Sequence, residues 1–403
     1  MHTATDTDLV RAAFLRLREY CERENFAGWD PYDGLNSRVF RAMPLVGRSA
    51  VARLVWIQLF KRSPLNMRRV LLVPKQHNAK AIGLFLHGYC LLHGMGGKLA
   101  EGALDRVNEL GELLLRMATP GFSGAAWDYN FPWQCRREFL FPAGEPTVVA
   151  TQFCASALFE AYDITGRADF RDAALSSAQF VLRDLHRTPA GAGELLSYSR
   201  MPGNDTIYNA SLLGSRLLML CRKYGGDPDG ELLRTARASV AAVCSMQQPD
   251  GSWTYGVKPV TGWKDSFHTG YNLDALATYC ELAPDGEEFR DALDRGLRYY
   301  LDTFFLPDGT PKYYHDRTYP VDIHCPGQLF VTLSRLGAFG ANRELAERVM
   351  RWTLGHMQAP EGYFYYQLKK GISSRISYMR WSNAFMFAAM CHYLKEINDT
   401  SED

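Results

Sequence analysis

Internal repetition constrains this chain more than any other feature. Residues 236–256 (ARASVAAVCSMQQPDGSWTYG), 296–314 (GLRYYLDTFFLPDGTPKYY), 350–367 (MRWTLGHMQAPEGYFYYQ) and, in a looser copy, 107–129 (VNELGELLLRMATPGFSGAAWDY) share one plan. Each is an amphipathic helical stretch closed by a Pro/Gly turn and followed by aromatics. A fifth, poorer copy runs over residues 171–198. The turn glycines, Gly124, Gly193, Gly251, Gly309 and Gly362, step by 69, 58, 58 and 53 residues. A unit of that length holds two helices and a loop.

The second helix of each unit is apolar on most sides and rich in small residues: VATQFCASALFEAYDITG, IYNASLLGSRLLMLCRKYGG, SFHTGYNLDALATYC, DIHCPGQLFVTLSRLG and RWSNAFMFAAMCHYLKEI. Such helices are buried. The first helix of each unit keeps a charged face, for example Arg290, Asp291 and Asp294, as a solvent-facing helix does. Residues 79–94 (AKAIGLFLHGYCLLHG) fit as the inner helix of a first unit, with 49–61 as its outer partner, which makes six hairpins. Six outer–inner pairs in sequence close into a ring. The expected fold is all-α, an (α/α)6 toroid spanning residues 46–403, with short β pieces at residues 253–255 and 364–367. Residues 1–45 read as a helix and a segment, GWDPYDGLNS, that caps the ring.

In that arrangement every loop from an outer helix to the next inner helix falls on one face. Those loops carry Trp, Tyr, Arg, Asp and His, whereas the opposite connections, such as DITGRADF and KYGGDPDG, are short and lack a Trp cluster. Aromatics beside charged groups suit a sugar, whose C–H faces stack and whose hydroxyls hydrogen-bond. Trp127, Tyr129, Trp133, Gln134, Arg136, Trp253, Tyr255, Lys264, Tyr271, Tyr314, Tyr366 and Arg380 are the candidate binding residues. Tyr255, Tyr271, Tyr314 and Tyr366 could stack on sugars or act as acids beside a cation, and for each of them plain packing is the favoured reading. Arg136, Arg137, Arg375 and Arg380 are candidates to clamp a carboxylate or phosphate, against solvation or pairing with acidic loops.

Asp205, Asp265 and Asp322 occur just before three successive inner helices. They read either as helix N-caps or, with Asp128, as paired carboxylates for glycoside cleavage. His268 and His324 follow Asp265 and Asp322 by three and two residues, which puts both near the starts of neighbouring inner helices. Imidazole gives and takes protons near neutrality. The competing reading is a hydrogen-bonded core histidine. His87 and His315 are weaker candidates. The histidines lack a compact metal-binding motif, so neither a metal nor a cofactor is expected. Cys325 has no placed partner to make it a nucleophile.

With 45 Lys+Arg against 44 Asp+Glu, the chain has no broad basic field for nucleic acid. Its nine cysteines are dispersed without a C-x-x-C pair, against a zinc knuckle or disulfide framework. The first twenty residues interleave acids and arginines, unlike a signal peptide, and no run reaches bilayer-spanning length. A cytoplasmic protein with reduced thiols is expected; its oligomeric state is left open.

The stretch Q-x-P-D-G-S-W, ending at Trp253, resembles the QW turn of toroids such as squalene-hopene cyclases and protein prenyltransferases, although the Asp-rich initiating motif of the cyclases is missing. GFSGAAWDYNFPWQ, GEPTVVATQF and DSFHTGYNLDAL resemble bacterial toroid proteins of exopolysaccharide biosynthesis, of the VpsJ type, over residues 80–395. In fold the chain is similar to N-acylglucosamine 2-epimerases, to glucuronyl C5-epimerases and to six-hairpin glycosidases. The resemblance implies a carbohydrate-active enzyme of polysaccharide biosynthesis or modification, running epimerase- or lyase-type acid/base chemistry through His268 and His324 on a sugar or glycan, with anionic ones among the candidates. Alternatives are a glycoside hydrolase using paired aspartates and a noncatalytic glycan-binding or scaffold protein. A prenyl or terpene pocket ranks behind these.

Overall fold

The computed structural model describes residues 3–135 and 139–399. Its helices are α1 (Thr3–Arg23), α2 (Arg38–Arg41), α3 (Pro44–Arg48), α4 (Ala50–Arg62), α5 (Ala79–Met95), α6 (Ala103–Met117), α7 (Val148–Thr165), α8 (Ala168–Gln179), α9 (Tyr208–Gly225), α10 (Glu231–Ser245), α11 (Ser266–Leu282), α12 (Arg290–Phe304), α13 (His324–Arg335), α14 (Arg343–Met357) and α15 (Phe385–Asp399). The apolar helices α5, α7, α9, α11, α13 and α15 pack each on the next, and α15 packs back on α5, so the inner ring closes. Side-chain caps start three of them. Asn78, Thr147 and Asp265 accept the main-chain N–H of Ala81, Ala150 and His268.

The repeat glycines show how the units lock together. A Cβ at Gly124, Gly193, Gly251, Gly309 or Gly362 would lie closer than 3.0 Å to the carbonyl oxygen of Ser176, Ala238, Arg295, Arg348 or Arg16 respectively. Each turn is thus pressed onto the outer helix of the following unit, and only glycine permits that approach. The last of these contacts falls on α1. Helix α1 is therefore an outer helix, and it closes the ring between α14 and α6. Phe14 packs on Phe387 of α15, Arg18 donates to the carbonyls of Leu99 and Glu101 ahead of α6, and Gln358 after α14 donates to Ala13 O.

This corrects the expectation that residues 49–61 form the first outer helix. Helix α4 instead packs on α3, on the 3₁₀ turn Asp33–Asn36 and on strand β1 (Trp133–Cys135). An amphipathic pattern does not say which neighbour it serves. Strand β1 pairs antiparallel with β2 (Phe139–Phe141), and β3 (Arg187–Ala190) with β4 (Gly193–Leu196). Strands β5 (Val321–Asp322), β6 (Tyr365–Leu368) and β7 (Ser374–Ser377) form a three-stranded antiparallel sheet. A strand thus forms at residues 365–368, one residue on from the expected 364–367. Residues 253–255 form none.

Candidate active site

The N-terminal ends of α11, α13, α5 and of the π-helical turn Met379–Ala384 before α15 meet at the axis. Asp265 is 2 % exposed and serves two purposes at once. Its Oδ1 accepts the His268 main-chain N–H at 3.0 Å, capping α11. Its Oδ2 lies 2.8 Å from His268 Nδ1 and accepts the Trp263 indole N–H at 2.9 Å. The carboxylate therefore holds the imidazole with Nδ1–H donated to it and Nε2 as the basic nitrogen. Tyr255 packs against the same imidazole at 4.6 Å between centroids and stacks on Trp263.

His324 packs against the same Phe267 ring as His268. Phe267 lies 4.0 Å from the His268 centroid and 5.1 Å from that of His324. His324 is 2 % exposed, stacked on Phe385 at 4.0 Å and tilted against Trp381 at 4.4 Å. Its Nδ1 is 3.9 Å from Asp322, too long for a hydrogen bond, and has no partner among the described residues. Burial, reinforced by Lys80, Arg380 and His268 nearby, pushes its pKa well below that of free imidazole, so it is neutral.

Asp322, in β5, is wholly buried and accepts three donors: His324 N at 3.0 Å, Trp381 Nε1 at 2.8 Å and Gln367 Nε2 at 2.6 Å. Burial raises its pKa to about 6 against those donors. Arg380 is buried and bidentate to Asp30, at 2.6 and 2.9 Å, and its guanidinium lies 4.9 Å over Tyr129. Tyr129 in turn shares a 2.9 Å hydrogen bond with Tyr198. Tyr366 is buried beside Trp381, its hydroxyl without a partner among the described residues.

One residue that sequence reasoning passed over belongs with this group. Lys80, the second residue of α5, is 3 % exposed, and its recorded hydrogen bond is to the Tyr271 hydroxyl at 3.1 Å. The amine lies 4.1 Å over Phe153 and 5.0 Å over Tyr271. Burial, reinforced by Arg380, lowers its pKa well below the ordinary lysine value. A lone lysine at the head of an otherwise apolar inner helix was the available signal.

Other sequence candidates lie elsewhere. Trp127 and Trp253 are buried, and their indole N–H groups bond to Leu114 O and Val243 O of their own outer helices, both at 2.9 Å. They anchor turns in the core. Asp128 ties a loop through the N–H groups of Asn130 and Gly144, and Asp205 accepts from Thr188 Oγ1. Neither caps a helix or enters the cluster. Lys264 pairs with Asp250, and Gln134 accepts from Arg53. Trp133 stacks on Phe141 at the rim, and half-buried Tyr314 bridges to Asp265 through the backbone. His315 is exposed. His87 lies two turns deeper along α5 than Lys80, between Glu160 and His392, beside a cavity of about 20 Å3, enough for a single water. Arg136 and Arg137 fall outside the described residues.

The segment 29–36 lies over this cluster. Asp30 holds Arg380. Tyr32 packs on Trp381 at 5.5 Å and Trp133 at 6.3 Å. Asp33 holds Arg68 at 2.7 Å. Burial outweighs the guanidinium and raises the Asp33 pKa to about 6. The space left beside Arg380 is about 10 Å3. Among the described residues no group of three or more His, Cys, Asp or Glu is placed to hold a metal.

No protein-family profile and no curated protein sequence matches the chain. Solved structures do. A GH76 α-mannanase of Bacteroides thetaiotaomicron superimposes with TM-score 0.60 at 11 % identity, covering 81 % of this chain and 88 % of that one. Cellobiose 2-epimerase of Bacillus thermoamylovorans gives 0.60 at 14 %, covering 80 % and 88 %. An unsaturated glucuronyl hydrolase specific for heparin gives 0.57 at 11 %, covering 79 % and 86 %. Identities this low speak to architecture and leave chemistry open. The chain has the six-hairpin (α/α)6 toroid fold that these mannanase, epimerase and glucuronyl hydrolase structures share.

Proposed function

We propose that the protein is a carbohydrate-active enzyme that moves a proton at a ring carbon of an anionic sugar or glycan, in the manner of an epimerase or lyase. The observation that carries this reading is the Asp265–His268 pair and neutral His324 packed against the same Phe267 ring. One histidine has its basic nitrogen fixed by a carboxylate, and the other is held unprotonated by burial. In the proposed step His268 Nε2 takes the proton from the carbon next to a carboxylate or carbonyl, and the charge passes to that group's oxygen. A proton delivered to the opposite face from the Lys80–Tyr271 pair completes an epimerisation; in an elimination the enolate's electron pair expels the oxygen substituent of the next carbon, which leaves with a proton from the same pair.

Lys80, with Tyr271, supplies a second proton-carrying pair and the positive charge an anionic substrate needs. A bound carboxylate would raise the Lys80 pKa and favour its charged form. Substrate entry requires segment 29–36 to move aside, because Asp30 now occupies Arg380. The paired-aspartate hydrolase reading has less support. Asp265 and Asp322 are fully engaged by donors, and Asp128 and Asp205 are loop ties. The likeness to an epimerase and a glucuronyl hydrolase is compatible with the proposal. A place in polysaccharide biosynthesis and a cytoplasmic location belong to the same proposal.

Incubation with uronate-containing glycans separates the possibilities. An epimerase leaves the mass unchanged and alters sugar configuration, and a lyase creates an ultraviolet-absorbing unsaturated uronate. New saturated reducing ends would overturn the proposal in favour of hydrolysis, and binding without any product would make the protein a glycan-binding module.

A further inference from the structure

The near-neutral chain conceals one strongly asymmetric segment. Between Asp33 and Glu101 there is no Asp or Glu, and residues 38–75 carry nine Lys or Arg. The same stretch shows the molecule's apolar side chains to solvent. Of sixteen large apolar residues exposed among the described ones, nine lie between Leu45 and Leu72. On α4, Val51, Val55 and Leu59 recur every fourth residue along one face and are 53 %, 52 % and 61 % exposed, while Ile57 and Phe60 on the other face are buried. Leu45 before the helix and Leu65 and Val70 after it are exposed further still. A concentration of apolar surface on this scale marks an interaction site.

The charges around the patch say what covers it. Arg48 and Arg62 stand exposed at the two ends of α4, and Arg38 and Arg41 of α2 and Arg69 in the turn after α4 are exposed as well. Alongside runs an apolar groove of about 230 Å3, lined by Leu35, Phe40, Met43 and Leu140 with Arg41 and Arg53 on its edge. A second copy of the chain would set these cations against themselves. Among the described residues no helix is long and apolar enough to cross a membrane, but an amphipathic helix with arginines beside an apolar stripe suits the plane of a bilayer surface.

We propose that α4 and its flanks, residues 45–72, dock the protein on an anionic lipid bilayer, with Val51, Val55 and Leu59 at the acyl boundary and the exposed arginines on headgroup phosphates. Because α4 packs on β1 and on the turn Asp33–Asn36, docking sets the rim of the candidate site beside the bilayer. The inference is independent of the reaction proposed above.

Co-sedimentation of the full chain with phosphatidylcholine vesicles, with and without about 30 % phosphatidylglycerol, tests it. The expected result is binding to the anionic vesicles alone, released when salt rises from about 0.1 to about 0.5 M. Val55→Asp/Leu59→Asp and Arg48→Glu/Arg62→Glu should each weaken it by about tenfold or more. All four side chains are exposed, so both variants should keep the parent's melting temperature, and the charge variant decides the matter should the apolar one misfold. Failure to bind anionic vesicles, equal binding to neutral ones, or binding that survives both double substitutions would overturn the proposal. So would a dimer in light scattering that Val55→Asp/Leu59→Asp dissolves, which would assign the face to a second copy.

Discussion

Gly362→Ala should destabilise the protein by about 2 to 4 kcal/mol. Two effects add. The φ of Gly362 is +101°, a backbone conformation that costs an L-residue about 1 to 2 kcal/mol. The new Cβ would also run into the Arg16 carbonyl of α1, so the turn or the helix must back away. That movement breaks the geometry of Gln358, whose Nε2 bonds both Ala13 O at 2.9 Å and Gly362 O at 3.1 Å, a loss of about 1 kcal/mol or more. Gly337 is the control. Its φ is +62°, and an added Cβ meets nothing within 4 Å, so Gly337→Ala should cost about 1 kcal/mol of backbone strain alone. Urea unfolding of the two variants, at unchanged m-value, gives the comparison. Equal losses would refute the reasoning, because α1 would then not be clamped by the turn that joins the other units.

Other consequences concern the site. The raised pKa values of Asp322 and Asp33, both about 6, mean that the fold favours their protonated forms. The stability they contribute is complete below about pH 4 and is lost as pH rises to about 6. Asp322→Asn should flatten that loss by up to about 3 kcal/mol in melting curves taken across the window. His324 acts with the opposite sign. Neutral in the fold, it costs stability as pH falls below about 6.5, and His324→Gln should remove that component. Lys80→Met, which removes a buried amine bonded to one neutral hydroxyl, should raise stability by about 1 kcal/mol while lowering turnover, so a drop in melting temperature would count against the charge assignment. Asp265→Asn keeps the cap on His268 N but turns an amide N–H toward the buried Trp263 indole N–H, so it should cost about 1 to 3 kcal/mol of stability. It should cut turnover by about 10²- to 10⁴-fold by removing the charged acceptor at His268 Nδ1.

The architecture was legible because repetition is a sequence property. The glycine turns, the apolar inner helices and the His268 and His324 positions all follow from spacing. What escaped depends on contacts between distant segments. Helix α1 lies more than fifty residues from its neighbour α5, with the basic segment between them, and its apolar face looks like any other amphipathic face. Helix α4 shows apolar residues on two sides, one for the rim and one for solvent, and that pattern imitated an outer helix. Trp127 and Trp253 read as ring-stacking residues because composition cannot tell an indole that faces a cleft from one whose N–H is tied to Leu114 or Val243. Lys80 was hidden by the apolar company that makes it unusual. The pairing of Asp30 with Arg380 spans 350 residues and leaves no local trace.

The proposed chemistry stands or falls with proton exchange between solvent and a sugar carbon. Wild-type protein incubated in deuterated water with a glucuronate-containing glycan should place deuterium at one ring carbon, detected as loss of its proton signal in NMR. His268→Gln and His324→Gln should each suppress that incorporation. Exchange that persists in both variants, or wild-type protein that leaves every ring proton in place while releasing new saturated reducing ends, would contradict the account.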